Sequence, residues 1–304
     1  MRIGVEHGTE SAEFFRGLRA AGDDKSTRVL IDFRECTDIS VDACLMLHGE
    51  IYRLRAKKGA EMVRSVLPAQ ASARRRLKVT GLMRAVNGDP RQLEGVSYDP
   101  HGSNVVVIET GIALDGGESL GLAKSFAQGL NLNEVDYKPI HSALNDALEN
   151  ISEHAYEGAA QSEERRWWAC SIGFPDDPQS FLLAYDLGVT IPATVPRTAR
   201  KVGERAMESL KRLLKRDDPE GADQTELLRA AFDPAVTRRE SGKGGRGLPS
   251  MRQLAEQHGG SLTVWSGRAA AWTDDKLLNV KEIAGGVDGT LVLWCVGEKA
   301  EAET

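Results

Sequence analysis

Between His141 and Tyr156 the chain carries two helical stripes side by side, and few environments suit both. Leu144, Ala147, Leu148, Ile151 and Ala155 recur at spacings of three and four, which makes one apolar face that has to lie on a core. Asp146, Asn150 and His154 recur every fourth residue and form a second, polar stripe. At about 1.5 Å rise per residue, an acid and an amide one turn apart stand roughly 6 Å apart along that face. A solvated helix surface accounts for such a stripe, and so does a site. Asn oxygen is a hard, neutral ligand for a hydrated Mg²⁺, and a carboxylate one turn earlier can polarise a water aimed at a phosphate. What decides between them is the company the helix keeps.

The N-terminal part alternates strand and helix. Arg28 to Phe33 is a compact β-rich run, and Asp42 to Ala56 has helical periodicity through Ala43, Leu47, Ile51 and Leu54. Ala60 to Leu67 reads as the next strand, ended by Pro68, and Ser72 to Leu77 begins another helix. This small βαβα unit resembles a STAS domain over about residues 27–86, through Val29-Leu30-Ile31-Asp32-Phe33, Thr37-Asp38-Ile39-Ser40, Lys58-Gly59 and Leu77-Lys78-Val79-Thr80-Gly81-Leu82. Members that act as phosphorylation switches carry Ser or Thr at the start of the helix after the Asp-Ser-like turn. Val41 stands there and has no hydroxyl, so the resemblance does not bring a phosphoacceptor, and Ser40 or Thr37 would be displaced substitutes.

Asn87-Gly88-Asp89-Pro90 and Pro100-His101-Gly102 are turn chemistry, which puts a linker at about 87–103 and divides the chain into a unit over 1–90 and a unit over 104–297. The second begins with a strand at Val105 to Ile108 and a helix over Glu118 to Gly129. It continues with the helix over Tyr137 to Tyr156 and a hairpin of Trp167 to Phe174 with Phe181 to Tyr185. That hairpin runs into Asp186-Leu187-Gly188-Val189-Thr190-Ile191-Pro192, a carboxylate at a strand end beside a glycine that lets backbone approach a ligand. Two charged helical stretches follow, Thr198 to Leu214 and Thr225 to Phe232, within a span of about 193–245 that reads as a lid. The run Gly242-Lys243-Gly244-Gly245-Arg246-Gly247-Leu248-Pro249-Ser250 offers free backbone amides and opens a helix, a turn suited to phosphates. It satisfies G-x-G-x-x-G without the preceding strand that the dinucleotide fingerprint needs, and it lacks the hydroxyl that follows Lys in a Walker loop. Strands at Ser261 to Ser266 and Gly289 to Val296 close the sheet.

Four motifs now stand in order: Asp146-x-x-x-Asn150, Asp186-x-Gly188, Gly242-x-Gly244-x-x-Gly247-Leu248 and Gly289-Thr290. Together they closely resemble the GHKL ATPases, the superfamily of gyrase-type topoisomerases, histidine kinases, MutL and anti-sigma-factor serine kinases. The implied fold is α/β, a STAS-like βα domain followed by a GHKL (Bergerat) α/β sandwich that binds ATP with Mg²⁺. The resemblance implies that Asn150 is the metal-binding asparagine and Asp146 the catalytic base. It makes Asp186 the acid that recognises the adenine amino group, Gly188 the glycine beside the base and Thr290 the hydroxyl behind it. Gly242, Gly244 and Gly247 become phosphate-lid glycines, Leu248 follows them, and Lys243 becomes a phosphate contact. Two positions depart from the pattern: Asp146 stands where hydrolysing members and serine kinases have Glu, and Thr190 replaces the second glycine of Asp-x-Gly-x-Gly. A carboxylate one methylene shorter reaches less far, and general-base work needs about 2.6–3.2 Å. The run Asn150 to Tyr156 is most similar to the anti-sigma-factor kinase branch. No phosphoacceptor-histidine helix pair precedes the unit, and the eight residues after Val296 leave no expectation of a transducer domain.

Two functions are therefore expected from different classes. One is an enzyme, a slow Mg²⁺-ATP-dependent hydrolase or protein serine/threonine kinase. The alternative is a nucleotide-gated interaction switch in which ATP orders the lid and alters contacts with a regulatory protein. Homodimerisation is among the options for partners. Net charge −6 makes nucleic acid an unlikely partner, with Arg74-Arg75-Arg76 and the Lys211 to Arg216 cluster read as solvated helix faces. No apolar run approaches the roughly 20 residues of a membrane span, and Met1 to His7 lacks the apolar region of a signal peptide, so a cytoplasmic protein is expected. Cys36, Cys44, Cys170 and Cys295 have no CxxC pairing and are expected to be core thiols.

Overall fold

A computed structural model describes residues 2–3, 8–24, 26–82, 86, 97–98, 106–111, 123–124, 137–151, 155–156, 166–174, 177–237, 247–257, 259–274 and 277–296. The fold is mixed α/β, built on an antiparallel sheet of six strands with helices on one face and the N-terminal unit on the other.

In the N-terminal unit, β1 (Arg2–Ile3) pairs in parallel with β3 (Asp38–Ile39), and β2 (Val29–Asp32) pairs in parallel with β4 (Val63–Val66). Three helices accompany them: α1 (Gly8–Asp23), α2 (Val41–Lys58) and α3 (Ala71–Val79). The strand, helix, strand, helix order agrees with the pattern read from sequence. The first turn of the span read as a strand from Ala60 is instead a short 3-10 helix, Ala60–Met62, and α1 had no counterpart in the sequence reading.

Every residue of α2 from Asp42 to Ile51 is buried, which an amphipathic helix on one surface cannot achieve. Helices that are apolar nearly all round lie between two layers, and the run Ala43-Cys44-Leu45-Met46-Leu47 is the local signal of it. One side of α2 packs with β2, β4 and α1, and the other lies on the six-stranded sheet.

That sheet runs β5 (Ser97–Tyr98), β6 (Val106–Gly111), β7 (Trp167–Phe174), β8 (Asp177–Asp186), β10 (Leu277–Val296), β9 (Ser261–Asp274), each pair antiparallel. The edge strand β5 falls inside the span expected as linker. Successive side chains on a strand point to opposite faces, and the two cores divide accordingly. Trp167, Ala169, Leu182 and Ala184 join the helical core, whereas Trp168, Cys170, Leu183 and Tyr185 join the N-terminal core. The two units thus share a continuous apolar contact through the sheet, with Trp265 and Leu291 in the same cluster as Phe15, Leu45 and Ile51.

The helical layer holds α4 (Tyr137–Asn150), α5 (Ile191–Val202), α6 (Glu204–Leu214), α7 (Gln224–Ala230), α8 (Pro234–Thr237) and α9 (Gly247–Gln257). The stretch read as one helix over Thr198 to Leu214 is two, divided at Gly203. Their charges lie outward, and Val195, Ala199, Leu210, Leu228 and Val236 lie in the same buried cluster as α4 and the sheet. Residues 191–237 are therefore a layer of the fold, and the remainder of the expected lid, residues 238–245, lies outside the described residues. The helix expected over Glu118 to Gly129 is described only at 123–124, where it is helical.

All four cysteines are free and buried, as core thiols should be. Of the basic clusters, Arg76 pairs with Asp38 at 3.3 Å and Arg74 donates to the Pro68 carbonyl at 3.0 Å, so that one is partly engaged in the fold. Among the described residues no helix is long and apolar enough to cross a membrane.

Candidate functional site

Parity along the strands puts Asp186 and Thr290 on the helical face, in register with each other across β8 and β10. With α4 beneath and α5 and α9 around them, they border a cavity of about 130 Å³. Asp146, Asn150, Asp186, Gly247, Leu248 and Thr290, six of the residues singled out in the sequence, line it together. Lys243, Gly242 and Gly244 lie outside the described residues, as does His154. The segment that contains those glycines joins Thr237 to Gly247, and both of these border the cavity.

Asp186 is the end of β8 and is almost wholly buried. It accepts the backbone N–H of Gly188 at 2.8 Å and one from Thr290. Burial outweighs these two donors and pushes its carboxyl up to about 7. A carboxyl between apolar walls such as Ala184, Val189 and Val292 presents an acceptor to a slot of low polarity.

The turn after Asp186 is fixed by backbone proximity. Gly188 lies so close to Ala155 that a Cβ would overlap its carbonyl, and Val189 donates to that same carbonyl at 2.5 Å. Tyr156 completes the joint: its hydroxyl receives the Leu187 N–H at 3.1 Å and donates to the Arg166 carbonyl at 2.5 Å. Behind the acid, Thr290 Oγ1 lies 2.8 Å from Ser266 Oγ, which also receives the Ile191 N–H at 2.8 Å. Ser266 is thus the buried pin between β9, β10 and the start of α5. Neither Ser266 nor Tyr156 was legible as a site residue, because their partners become neighbours only through strand register and helix docking.

Gly289, one residue before Thr290, has φ +74, and a Cβ there would collide with the Asp186 carbonyl. The left-handed conformation alone disfavours a side chain by about 1–2 kcal/mol. Gly289→Ala is expected to lose at least about 2–3 kcal/mol of stability once that overlap is added, read as a lower urea midpoint. A midpoint equal to wild type would show the turn to be adaptable.

The other end of the cavity is polar. Asp146 and Asn150 stand one turn apart on α4 as their spacing requires, and Glu149 lines the cavity with them. Glu149 accepts from Asn145 Nδ2 at 2.9 Å, and Ser250 Oγ donates to Asp146 Oδ2 at 2.7 Å. Gly247, φ +24, would bring a Cβ to 3.1 Å from Asn150 Nδ2, so its backbone passes directly over the amide. The Asn150 amide oxygen, with the Glu149 carboxylate beside it at the cavity, is hard-oxygen chemistry of the kind Mg²⁺ takes before completing its shell with water and phosphate oxygens, while Asp146 is engaged by Ser250. From α5, Thr194, Thr198 and Lys201 also face the cavity, none of them singled out in the sequence. No protein-family model matches the chain, and no curated protein matches it at a significant level.

Proposed function

We propose that this chain binds Mg²⁺-ATP in the cavity between α4, α5, α9 and the sheet, and that it acts as a slow ATPase or protein serine kinase of GHKL type with a fused STAS-like unit. The observation that carries the reading is the arrangement of one buried carboxylate in an apolar slot and an acid-amide pair at the slot's other end. The adenine amino group donates, and Asp186 is an acceptor at the depth where a base would lie. At about 130 Å³ the cavity is smaller than the roughly 300–1,000 Å³ of a site that encloses a drug-sized ligand, so it suits the base and leaves the phosphates toward Asn150 and the glycine segment.

In this reading Asn150 holds the metal and Asp146 orients and deprotonates the attacking hydroxyl. When bound, Mg²⁺ supplies charge neutralisation of the phosphate oxygens. Asp186 and Thr290 hold the base, and Gly188, which does not line the cavity, supports them indirectly by letting the turn after Asp186 pass against the Ala155 carbonyl. Gly242, Lys243 and Gly244 are proposed to follow the phosphates, as the sequence pattern implies.

The switch alternative draws support from the rear of the sheet, where the N-terminal unit packs against the strand ends that carry the base-recognition residues. A single titration decides the nucleotide question. Asn150→Ala is expected to keep the fold, since it leaves the apolar stripe intact, and to lose the Mg²⁺-dependent part of ATP affinity in calorimetry. Equal affinity with and without Mg²⁺ in both proteins would remove Asn150 from the site, and equal binding of ATP and GTP by wild type would remove Asp186 from base recognition.

A further inference from the structure

Ser250 and Asp146 are 104 positions apart in sequence, yet α9 and α4 bring the serine hydroxyl onto the carboxylate at 2.7 Å. A hydroxyl donating to a carboxylate at that distance is the geometry of a nucleophile and its base. Asp146 lines the cavity, and Ser250 stands directly behind its wall: Gly247, Leu248 and Met251 on either side of it line the cavity while Ser250 reaches it through the Asp146 carboxylate. Three of the hydroxyls that line the cavity are differently engaged. Thr194 Oγ1 donates to the Ile191 carbonyl at 3.0 Å, Thr237 Oγ1 donates to the Asp233 carbonyl at 3.4 Å, and Thr290 is paired with Ser266. None of these bonds is to a carboxylate.

We propose that Ser250 is a phosphoacceptor within the chain, phosphorylated from ATP bound in its own cavity. The proposal rests on the Mg²⁺-ATP reading above. In the step, the Ser250 O–H bond breaks and its proton passes to the Asp146 carboxylate. The oxygen forms a bond to the γ-phosphorus as the bond from that phosphorus to the β-phosphate oxygen breaks. The electron pair of the broken bond leaves on ADP, and Asp146 returns its proton to solvent. The shorter reach of Asp146 compared with the expected Glu is then matched by an acceptor already held against it.

The product limits itself. A phosphoserine carries roughly −1.5 to −2 charge at neutral pH and would stand beside the Asp146 carboxylate that had been its hydrogen-bond acceptor. Attraction across the α4 and α9 seam becomes repulsion, and the same negative charge opposes a second triphosphate. One phosphoryl group per chain is expected, in a form that binds ATP more weakly than the unmodified protein.

The test uses the whole chain with Mg²⁺-ATP, intact-mass spectrometry, peptide mapping, and calorimetry of the same samples. Expected are incorporation of one phosphoryl group, its location on Ser250, and a first-order rate constant independent of protein concentration. Asp146→Asn should bind ATP and incorporate about 10²–10⁴-fold more slowly. Ser250→Ala should bind ATP and incorporate nothing, and Ser250→Thr should be labelled on the new hydroxyl. If wild type binds Mg²⁺-ATP but stays unmodified, or is modified at another residue, Ser250 is not the acceptor and the nucleotide reading stands. A rate that rises with protein concentration would place the transfer between copies and overturn the same-chain step. If wild type fails to bind Mg²⁺-ATP, both readings fall.

Discussion

Asp186→Ala is expected to weaken ATP binding by roughly 10- to 150-fold, the equivalent of about 1.5–3 kcal/mol for a hydrogen bond to a charged group. The loss should be confined to bases that present an amino donor at that edge, so the variant's remaining affinity for ATP and GTP should converge. A variant that still prefers ATP would mean that another residue reads the base. The same carboxyl gives the protein a pH signature. Its folded value is pushed up to about 7 from an ordinary 3.8, chiefly by burial, so between those values the folded state holds a proton that the unfolded chain releases. Its contribution to stability is therefore complete below about pH 4 and declines as pH rises through 7. At roughly 1.4 kcal/mol for each unit of displacement, the decline amounts to a few kcal/mol. Asp186→Asn removes the titration while keeping the shape. Urea midpoints at pH 5 and pH 8 should differ in wild type and converge in the variant, and an equal pH response in both would exclude Asp186 as the cause.

Glu50→Ala is expected to destabilise the fold by about 3–5 kcal/mol, the usual loss when one member of a buried charge cluster is removed. Glu50 sits on α2 with its side chain 1% exposed, 3.1 Å from Arg19 on α1 and 2.5 Å from Arg53 one turn on. Both arginines also reach Asp288, at 3.2 and 2.8 Å, and the Asp288 carbonyl accepts from the Tyr185 hydroxyl at 3.3 Å. Burial raises the Glu50 carboxyl even against the two guanidinium groups, which marks how dry the cluster is. Alanine would leave the arginines facing Asp288 alone. Asp288 immediately precedes Gly289 and Thr290, and Tyr185 immediately precedes Asp186, so the cluster joins the N-terminal unit to the two residues proposed to recognise the base. ATP affinity should therefore fall in Glu50→Ala at temperatures where the protein is still folded. An urea midpoint within the error of wild type would show that the cluster contributes no net stability. Unchanged ATP affinity together with a lowered midpoint would confine its role to packing.

Local chemistry in the sequence determined many of the elements and pointed to six of the residues that line the cavity. The two stripes of 141–156 require a helix with an apolar and a polar face, and α4 places Leu144, Ala147 and Leu148 in the core and Asp146 and Asn150 at the cavity. The hairpin of β7 and β8, with Asp186 at its end, followed from apolar runs bounded by turn residues, because period-two patterning is a local property. Within the span 193–245, helices α5 to α8 are charged on one face, and whether their other face meets solvent or a core depends on what lies beneath them. The double burial of α2 was hidden for a similar reason, since it takes two layers closing from opposite sides.

Only the tertiary structure decided which hydroxyls brace the site from behind. Ser266 meets Thr290 through the register of a long hairpin, Tyr156 meets Leu187 where a helix end docks on a turn, and Ser250 meets Asp146 across two helices. Each is a contact between residues separated by tens of positions, and a short polar side chain has no periodicity that could announce its partner. The same holds for Glu50, Arg19, Arg53 and Asp288, where a buried carboxylate on one unit is matched by an irregular stretch of strand β10 on the other. Sequence specifies the faces of helices and strands through spacing. Which faces meet, and hence which acid is dry, which hydroxyl is held and which turn is braced, is set by the packing of layers that are far apart along the chain.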